Sequence, residues 1–394
     1  MPAPSPLPAG LPPLDPTALA HGRRVAAHLH DLIARAGGWL PFEQWMDAAL
    51  YAPCLGYYAA GSAKLAEGGA TPAGDFVTAP ELTPLFGRAL ATQVAHVLRA
   101  AGSNRVLEFG AGTGALAESV LQALDEMGIA ARYAIVEVSA DLRARQARRL
   151  AACGDRVAWL DALPEAFDGC VLANEVLDAM PVRLFRWDEA GRLCERGVVS
   201  QHAGAFAWQD RPAPPDLAAA LAERMPALPG YASEINLRAE AWVRAMGGWL
   251  RRGAALLIDY GFPRAEYYHP QRAGGTLMCH LRHHAHGDPL VLPGLQDVTA
   301  HVDFTAMADA ALAGGLDVLG YTSQARFLVE AGLPALLARQ MEGADAAAQA
   351  RAVAPVQKLL SEAEMGELFK VLAVGRGLDG PLPAFARGDR RHML

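Results

Sequence analysis

The chain has 394 residues, 52% of them apolar, and a formal net charge of −7. Such a length accommodates two or three domains and a core that needs neither disulfides nor a structural metal. The mild acidic excess excludes the basic footprint of a nucleic-acid binder, and no apolar run is long enough to span a membrane.

Residues 1 to 18 read as a Pro-rich arm without the basic and apolar regions of a secretory signal. Five cysteines with no C-x-x-C pair point to a reduced compartment, a bacterial-type cytoplasm. Helical spacing from Val25 to Ala36 ends at Gly37-Gly38, and a short helix from Phe42 to Leu50 follows Pro41. Residues 51 to 80 are rich in Gly, Ala and Pro and predict a long loop, which in a compact protein is often functional. With a helix from Pro84 to Ala101, the stretch 19 to 102 is expected to be a helical lid with a covering loop.

From residue 103 the pattern changes to one large domain running to 394. Short apolar strands are expected at Arg105 to Phe109, Tyr133 to Val138, Val157 to Leu160, Cys170 to Ala173 and Ala254 to Asp259. Helices from Ala115 to Met127 and from Ala140 to Ala151 separate the first three. This alternation predicts βαβ units and an α/β fold with a parallel sheet. The span between the fourth and fifth strands is too long for one crossover. Strands at Val182 to Trp187 and Val198 to Trp208 around Asp188-Glu189-Ala190-Gly191 predict an inserted β-hairpin region at about 181 to 250, closing with a helix from Arg238 to Leu250. Leu316 to Tyr321 and Leu368 to Val374 are later strands, with an Ala-rich helical stretch from Ser323 to Leu360 between them.

The strongest motif is Val106-Leu-Glu-Phe-Gly-Ala-Gly-Thr-Gly114, a strand ending in a glycine turn at the head of a helix. Glycines there admit positive φ and let backbone approach a ligand, and open α/β sheets bind at the carboxyl ends of their strands. Gly110, Gly112 and Ala115 satisfy the loose dinucleotide pattern, so a nicotinamide enzyme is a competitor. Gly114 instead makes G-x-G-x-G, and Glu108 would repel a nearby pyrophosphate. The ammonium and sulfonium of S-adenosylmethionine suit that carboxylate better. Glu137, closing the second strand, is placed to accept from ribose hydroxyls. Asp161, after the third, either meets an adenine amino group or caps a helix.

Six segments together resemble the MidA-like family, whose mitochondrial members are protein arginine methyltransferases that assist respiratory complex I assembly. They are Gly74-Asp-Phe-Val-Thr-Ala-Pro-Glu-Leu82, Leu107 to Gly114, Ala173-Asn-Glu-Val-Leu-Asp-Ala-Met-Pro-Val182, Ile258-Asp-Tyr-Gly261, Asp297-Val-Thr-Ala-His-Val-Asp-Phe304 and Met365 to Lys370. The resemblance implies a class I S-adenosylmethionine (SAM) methyltransferase, a Rossmann-like sheet with one antiparallel strand, which Leu368 to Val374 fits. It also implies a flap of Gly74, Asp75 and Phe76 with Thr78 and Glu81 over the cofactor, and an arginine-bearing protein as substrate. A nicotinamide oxidoreductase and a non-catalytic SAM-binding assembly factor stand as rivals.

Carboxylates can orient a guanidinium fork and steer electron density to the attacking nitrogen. Asn174, Glu175 and Asp178 follow the fourth strand on the ligand edge, although the first two could simply cap a helix. Asp259 and Tyr260 end the fifth strand on that rim, and the resemblance favours a substrate-side role for His301 and Asp303. The run Cys279, His280, His283, His284, His286 matches no standard zinc spacing, so no metal is expected. The arginines at 143, 145, 148 and 149 read as a solvated helix face.

Overall fold

The computed structural model describes residues 11–60, 78–201 and 204–394. Its central sheet holds seven strands: β1 (Arg105–Phe109), β2 (Arg132–Val136), β3 (Val157–Leu160), β4 (Phe167–Asn174), β5 (Leu250–Phe262), β6 (Asp317–Ser323) and β7 (Phe369–Arg376). Their order is β3-β2-β1-β4-β5-β7-β6, with Val302–Asp303 adding a short parallel pairing to β5. β7 runs antiparallel to both neighbours, while β3, β2, β1, β4 and β5 are mutually parallel. Chain order reverses between β1 and β4, which puts a ligand crevice at their carboxyl ends.

Strand parity builds the layers. Val106, Cys170, Leu172, Leu256, Ile258, Val371 and Ala373 face one core with helices Pro84–Ala101 and Ala115–Glu126. The alternate residues Leu107, Val171, Ala173, Ala255, Leu257, Leu372 and Val374 face a second core with helices Leu237–Trp249 and Phe304–Ala313. Both faces of the sheet are therefore covered, as a parallel sheet requires.

The inserted region is larger than a hairpin. Arg183–Trp187, Leu193–Ser200, Phe206–Pro212 and Ala232–Ile235 join Leu40–Pro41 in a five-stranded antiparallel sheet. The expected single strand from Val198 to Trp208 is two strands, because the chain reverses where the Gln201 amide bonds the Ala205 carbonyl at 2.8 Å and Gly204 takes φ 76°. Val25, Leu29 and Trp45 of the N-terminal helices share a core with Val182 and Val198 of this insertion. The late helical stretch is three helices, Gln324–Glu330, Leu333–Met341 and Ala346–Leu360, interrupted at the left-handed Gly332 and Gly343. Met278–Leu281 and His284–His286 form a hairpin through Arg282 and His283, both with positive φ, and Asp297–Thr299 pairs its other side. Among the described residues no three His, Cys, Asp or Glu side chains are grouped to hold a metal, and no helix is long and apolar enough to cross a membrane.

Candidate active site

A cavity of about 570 Å³ opens where the strand order reverses, lined by the glycine turn, the ends of β2 and β4, and residues of the N-terminal helices. Gly110, Gly112 and Gly114 have φ of 60°, 55° and 88°, conformations that L side chains resist, so the turn exposes backbone to the cavity. Phe109, Leu142, Leu163, Met180 and Trp242 supply apolar wall.

Glu108 lines the cavity yet faces the same way as Val106, and it is 2% exposed. The Tyr133 hydroxyl, one strand over on the same face, donates to its Oε2 at 2.7 Å. Burial pushes the Glu108 carboxyl up to about 8. Burial thus disfavours the standing carboxylate that would repel a pyrophosphate, and a nearby cation would favour its ionised form.

Glu137 also lines the cavity, and burial raises its carboxyl. The Ser139 amide donates to Oε1 at 2.8 Å and Gln146 Nε2 to Oε2 at 3.0 Å, which aims the group and leaves lone pairs for two ribose hydroxyls. Gln146 is fully buried and central: it also donates to the Gly112 carbonyl at 2.9 Å and accepts from Trp159 Nε1 at 2.9 Å. It thus ties the turn to β2, a role hidden among the arginines of its helix. That helix is not wholly solvated either, since Arg149 bonds both Glu81 and Thr113 of the glycine turn. Thr113 also donates to Glu81, which pins the short helix Ala79–Leu82 over the cavity. Gly74, Asp75 and Phe76 lie outside the described residues.

Asp161 is not brought to the cavity. Its side chain is 84% exposed and pairs with Arg143 at 2.6 Å, so the strand-end position serves a surface ion pair.

At the other end stand Asn174 and Glu175, both lining the cavity. Glu175 has φ 54°, a left-handed turn for a non-glycine residue, and its amide is tied to the Ile258 carbonyl of β5 at 2.9 Å. Asn174 Nδ2 donates to Glu175 Oε1 at 3.1 Å, and the Ala79 amide donates to the same carboxyl. Burial, with Asp178 beside it, pushes Glu175 up to about 8. Asp178 sits behind the lining, 5% exposed; burial raises it, and Tyr260 OH donates to its Oδ2. Asn174 Oδ1, on the cavity lining, is buried without a partner, an acceptor that a hydrogen-bond donor can complete.

The predicted rim residues on β5 work from beneath. Asp259 is fully buried and accepts from the Leu177 and Asp178 amides at 2.9 and 3.2 Å through Oδ2, and from the Tyr260 amide through Oδ1. It shapes the 175–178 loop rather than meeting a ligand. His301 does not line the cavity: it stacks on Phe262 at 5.3 Å and meets the Tyr260 ring edge-on, and burial pushes it down to about 4. Asp303 caps helix Phe304–Ala313, accepting from the Ala306 amide at 3.0 Å, so the alternating segment ends in a cap and not in a site residue. The sequence reading missed Tyr51, Tyr58, Met180, Arg238 and Trp242, all lining the cavity from distant parts of the chain.

Residues 89–322 match a family described as "Putative S-adenosyl-L-methionine-dependent methyltransferase". A Burkholderia thailandensis structure solved with S-adenosyl-homocysteine bound is 54% identical, with a TM-score of 0.92 covering 98% of this chain and 100% of that one. The mitochondrial protein arginine methyltransferase NDUFAF7 homolog of Drosophila melanogaster is 28% identical, covering 86% of this chain and 82% of its own, and the Danio rerio protein arginine methyltransferase NDUFAF7 is 27% identical over 89% and 87%. The dinucleotide reading of the turn gives way, and the cofactor is SAM. The chain belongs to the MidA-like family of S-adenosylmethionine-dependent methyltransferases.

Proposed function

We propose that the protein methylates an arginine side chain of a partner protein, with the acceptor held at the β4 end of the cavity. The observation that carries this reading is a set of buried acids without a cation. Glu175, Asp178 and Asp259 are all raised by burial, and no Lys or Arg among the described residues pairs with them. Buried carboxyls in that condition favour a cationic ligand, and the unpartnered Asn174 Oδ1 on the cavity lining asks for a donor. A guanidinium brings five donors and a fixed charge, an ammonium only three donors. The curated relatives are named as arginine methyltransferases, which agrees.

When bound, SAM would be held by the glycine turn with Glu137 and Glu108 and would supply an electrophilic methyl group on sulfur. Gly110, Gly112 and Gly114 would offer it backbone approach, and Glu137 would receive the ribose. Glu175 ionises when the guanidinium arrives, releasing its proton to solvent, and the carboxylate oxygen not bonded to Asn174 accepts from its fork. Fixing that fork aligns one nitrogen for in-line attack, the positioning from which much of the rate comes. Met180 and Trp242 exclude water from the line of transfer. The nitrogen sheds a proton as it gains the methyl group, and the Glu175 carboxyl holds it, since burial already favours its protonated form. Asp47, Tyr51, Tyr58, Thr78, Pro80 and Glu81 of the N-terminal unit wall the cavity in this scheme, and the free cysteines suit a reducing compartment.

The test is to incubate the protein with methyl-labelled SAM and a cell extract, then hydrolyse the product and separate the methylated amino acids. Label is expected in methylarginine, falling roughly 100-fold or more with Glu175→Gln, the loss typical of removing one preorganised charge-stabilising group. Label confined to lysine, to carboxyl esters or to small molecules overturns the reading.

A further inference from the structure

One wall of the cavity is aromatic, built by Tyr51 and Tyr58, and its geometry has no role in the scheme above. Helix Phe42–Tyr51 ends at Tyr51, and the chain recoils at once onto the helix end: the Tyr57 and Tyr58 amides donate to the Ala49 and Leu50 carbonyls at 2.9 and 2.8 Å. Gly56 permits this, because a Cβ there would lie 2.5 Å from the Leu50 backbone. The recoil stacks the Tyr51 and Tyr58 rings with centroids 5.5 Å apart and planes at 21°, both lining the cavity. Each hydroxyl is anchored, Tyr51 OH to the Ala179 carbonyl and Tyr58 OH to Asp297 Oδ1, both at 2.9 Å. The first anchor ties the pair to the loop that follows Glu175. The second sets a buried acid behind the ring.

We infer that the Tyr51–Tyr58 pair is the acceptor-selectivity element of this site, a π surface that admits a planar guanidinium in preference to an ammonium; the inference rests on the arginine reading. Guanidinium stacks on aromatic faces and is weakly hydrated, whereas an ammonium must surrender a tight hydration shell to do so. Asp297 acts through Tyr58 as a positioning residue, and Tyr51, tied to the loop that follows Glu175 through the Ala179 carbonyl, does the discriminating.

The experiment uses the full chain saturated with S-adenosyl-homocysteine and titrated calorimetrically with acetyl-Gly-Arg-Gly-amide and its lysine counterpart. The wild type is expected to bind the arginine peptide at least ten-fold more tightly. Tyr51→Leu, which keeps apolar volume but no π face, is expected to weaken arginine binding about ten-fold and to bring the two peptides within three-fold, with S-adenosyl-homocysteine affinity held within two-fold. Tyr58→Phe keeps the ring but not the Asp297 bond, and is expected to lose about three-fold. A wild type that prefers arginine alongside a Tyr51→Leu variant with the same preference overturns this inference and leaves the arginine reading intact. A wild type without the preference overturns the arginine reading itself.

Discussion

Replacing Glu108 by Gln isolates the ionisation of one buried acid. The carboxyl is 2% exposed, its Oε2 accepts from Tyr133 OH, and burial lifts it from 4.5 to about 8. Unfolded, it ionises near 4.5. Between those values the folded state binds the extra proton, so folding stability falls as pH rises, by about 1.4 kcal/mol per pH unit while the difference is complete. Glutamine keeps an acceptor for Tyr133 and titrates nowhere in this range. From pH 6 to pH 8, near the upper end of the window, the wild type is therefore expected to lose about 2 kcal/mol relative to Glu108→Gln, with the proton difference shrinking as the folded-state value is approached. Urea unfolding of both proteins at the two pH values measures it, and Glu175, which titrates in the same range, cancels in the comparison. An unchanged stability difference between pH 6 and pH 8 would mean that Glu108 is ionised in the fold and that burial does not control its charge.

Gln146→Leu strips partners from the Gly112 carbonyl, Glu137 and Trp159 Nε1; about 3 kcal/mol of stability and at least ten-fold in S-adenosyl-homocysteine affinity should be lost, read by urea unfolding and calorimetry. Gly112→Val forces a branched side chain into φ 55° and should cost roughly 1–2 kcal/mol, abolishing cofactor binding in a protein that still unfolds cooperatively. Asp259→Asn turns one acceptor of three backbone amides into a donor, so turnover should fall more than ten-fold with cofactor affinity nearly unchanged, and equal losses in both would refute its role under the 175–178 loop. Arg224 and Glu240 form a buried bidentate pair at 2.7 and 2.9 Å; Arg224→Met alone should cost about 3 kcal/mol and Arg224→Met with Glu240→Leu clearly less, by denaturant titration.

Local signals carried the sheet and the glycine turn into view, because strand parity and a turn motif are written in consecutive residues. The same parity places Glu108 with Val106 in the core, so its burial is written in the strand although its charge points to a ligand. Asp161 and Asp303 sit at strand ends like true site residues, and only the exposed Arg143 beside one and the Ala306 amide beside the other turn them to structural ends. The insertion looked like a hairpin because its fifth strand, Leu40–Pro41, comes from the other side of the glycine turn. Tyr51 meets Ala179, and Tyr58 meets Asp297, across the length of the chain, contacts that no periodicity encodes. Charge is the deepest case. Asp and Glu look alike in a sequence, but here the solvated acids such as Asp161 acquired arginines, while Glu175, Asp178 and Asp259 were buried without one. A fold that leaves buried acids unpaired loses stability as they ionise, and a cationic ligand reverses that loss on binding. Acceptor affinity in this family member should therefore be coupled to proton release, which the local sequence around each acid does not reveal.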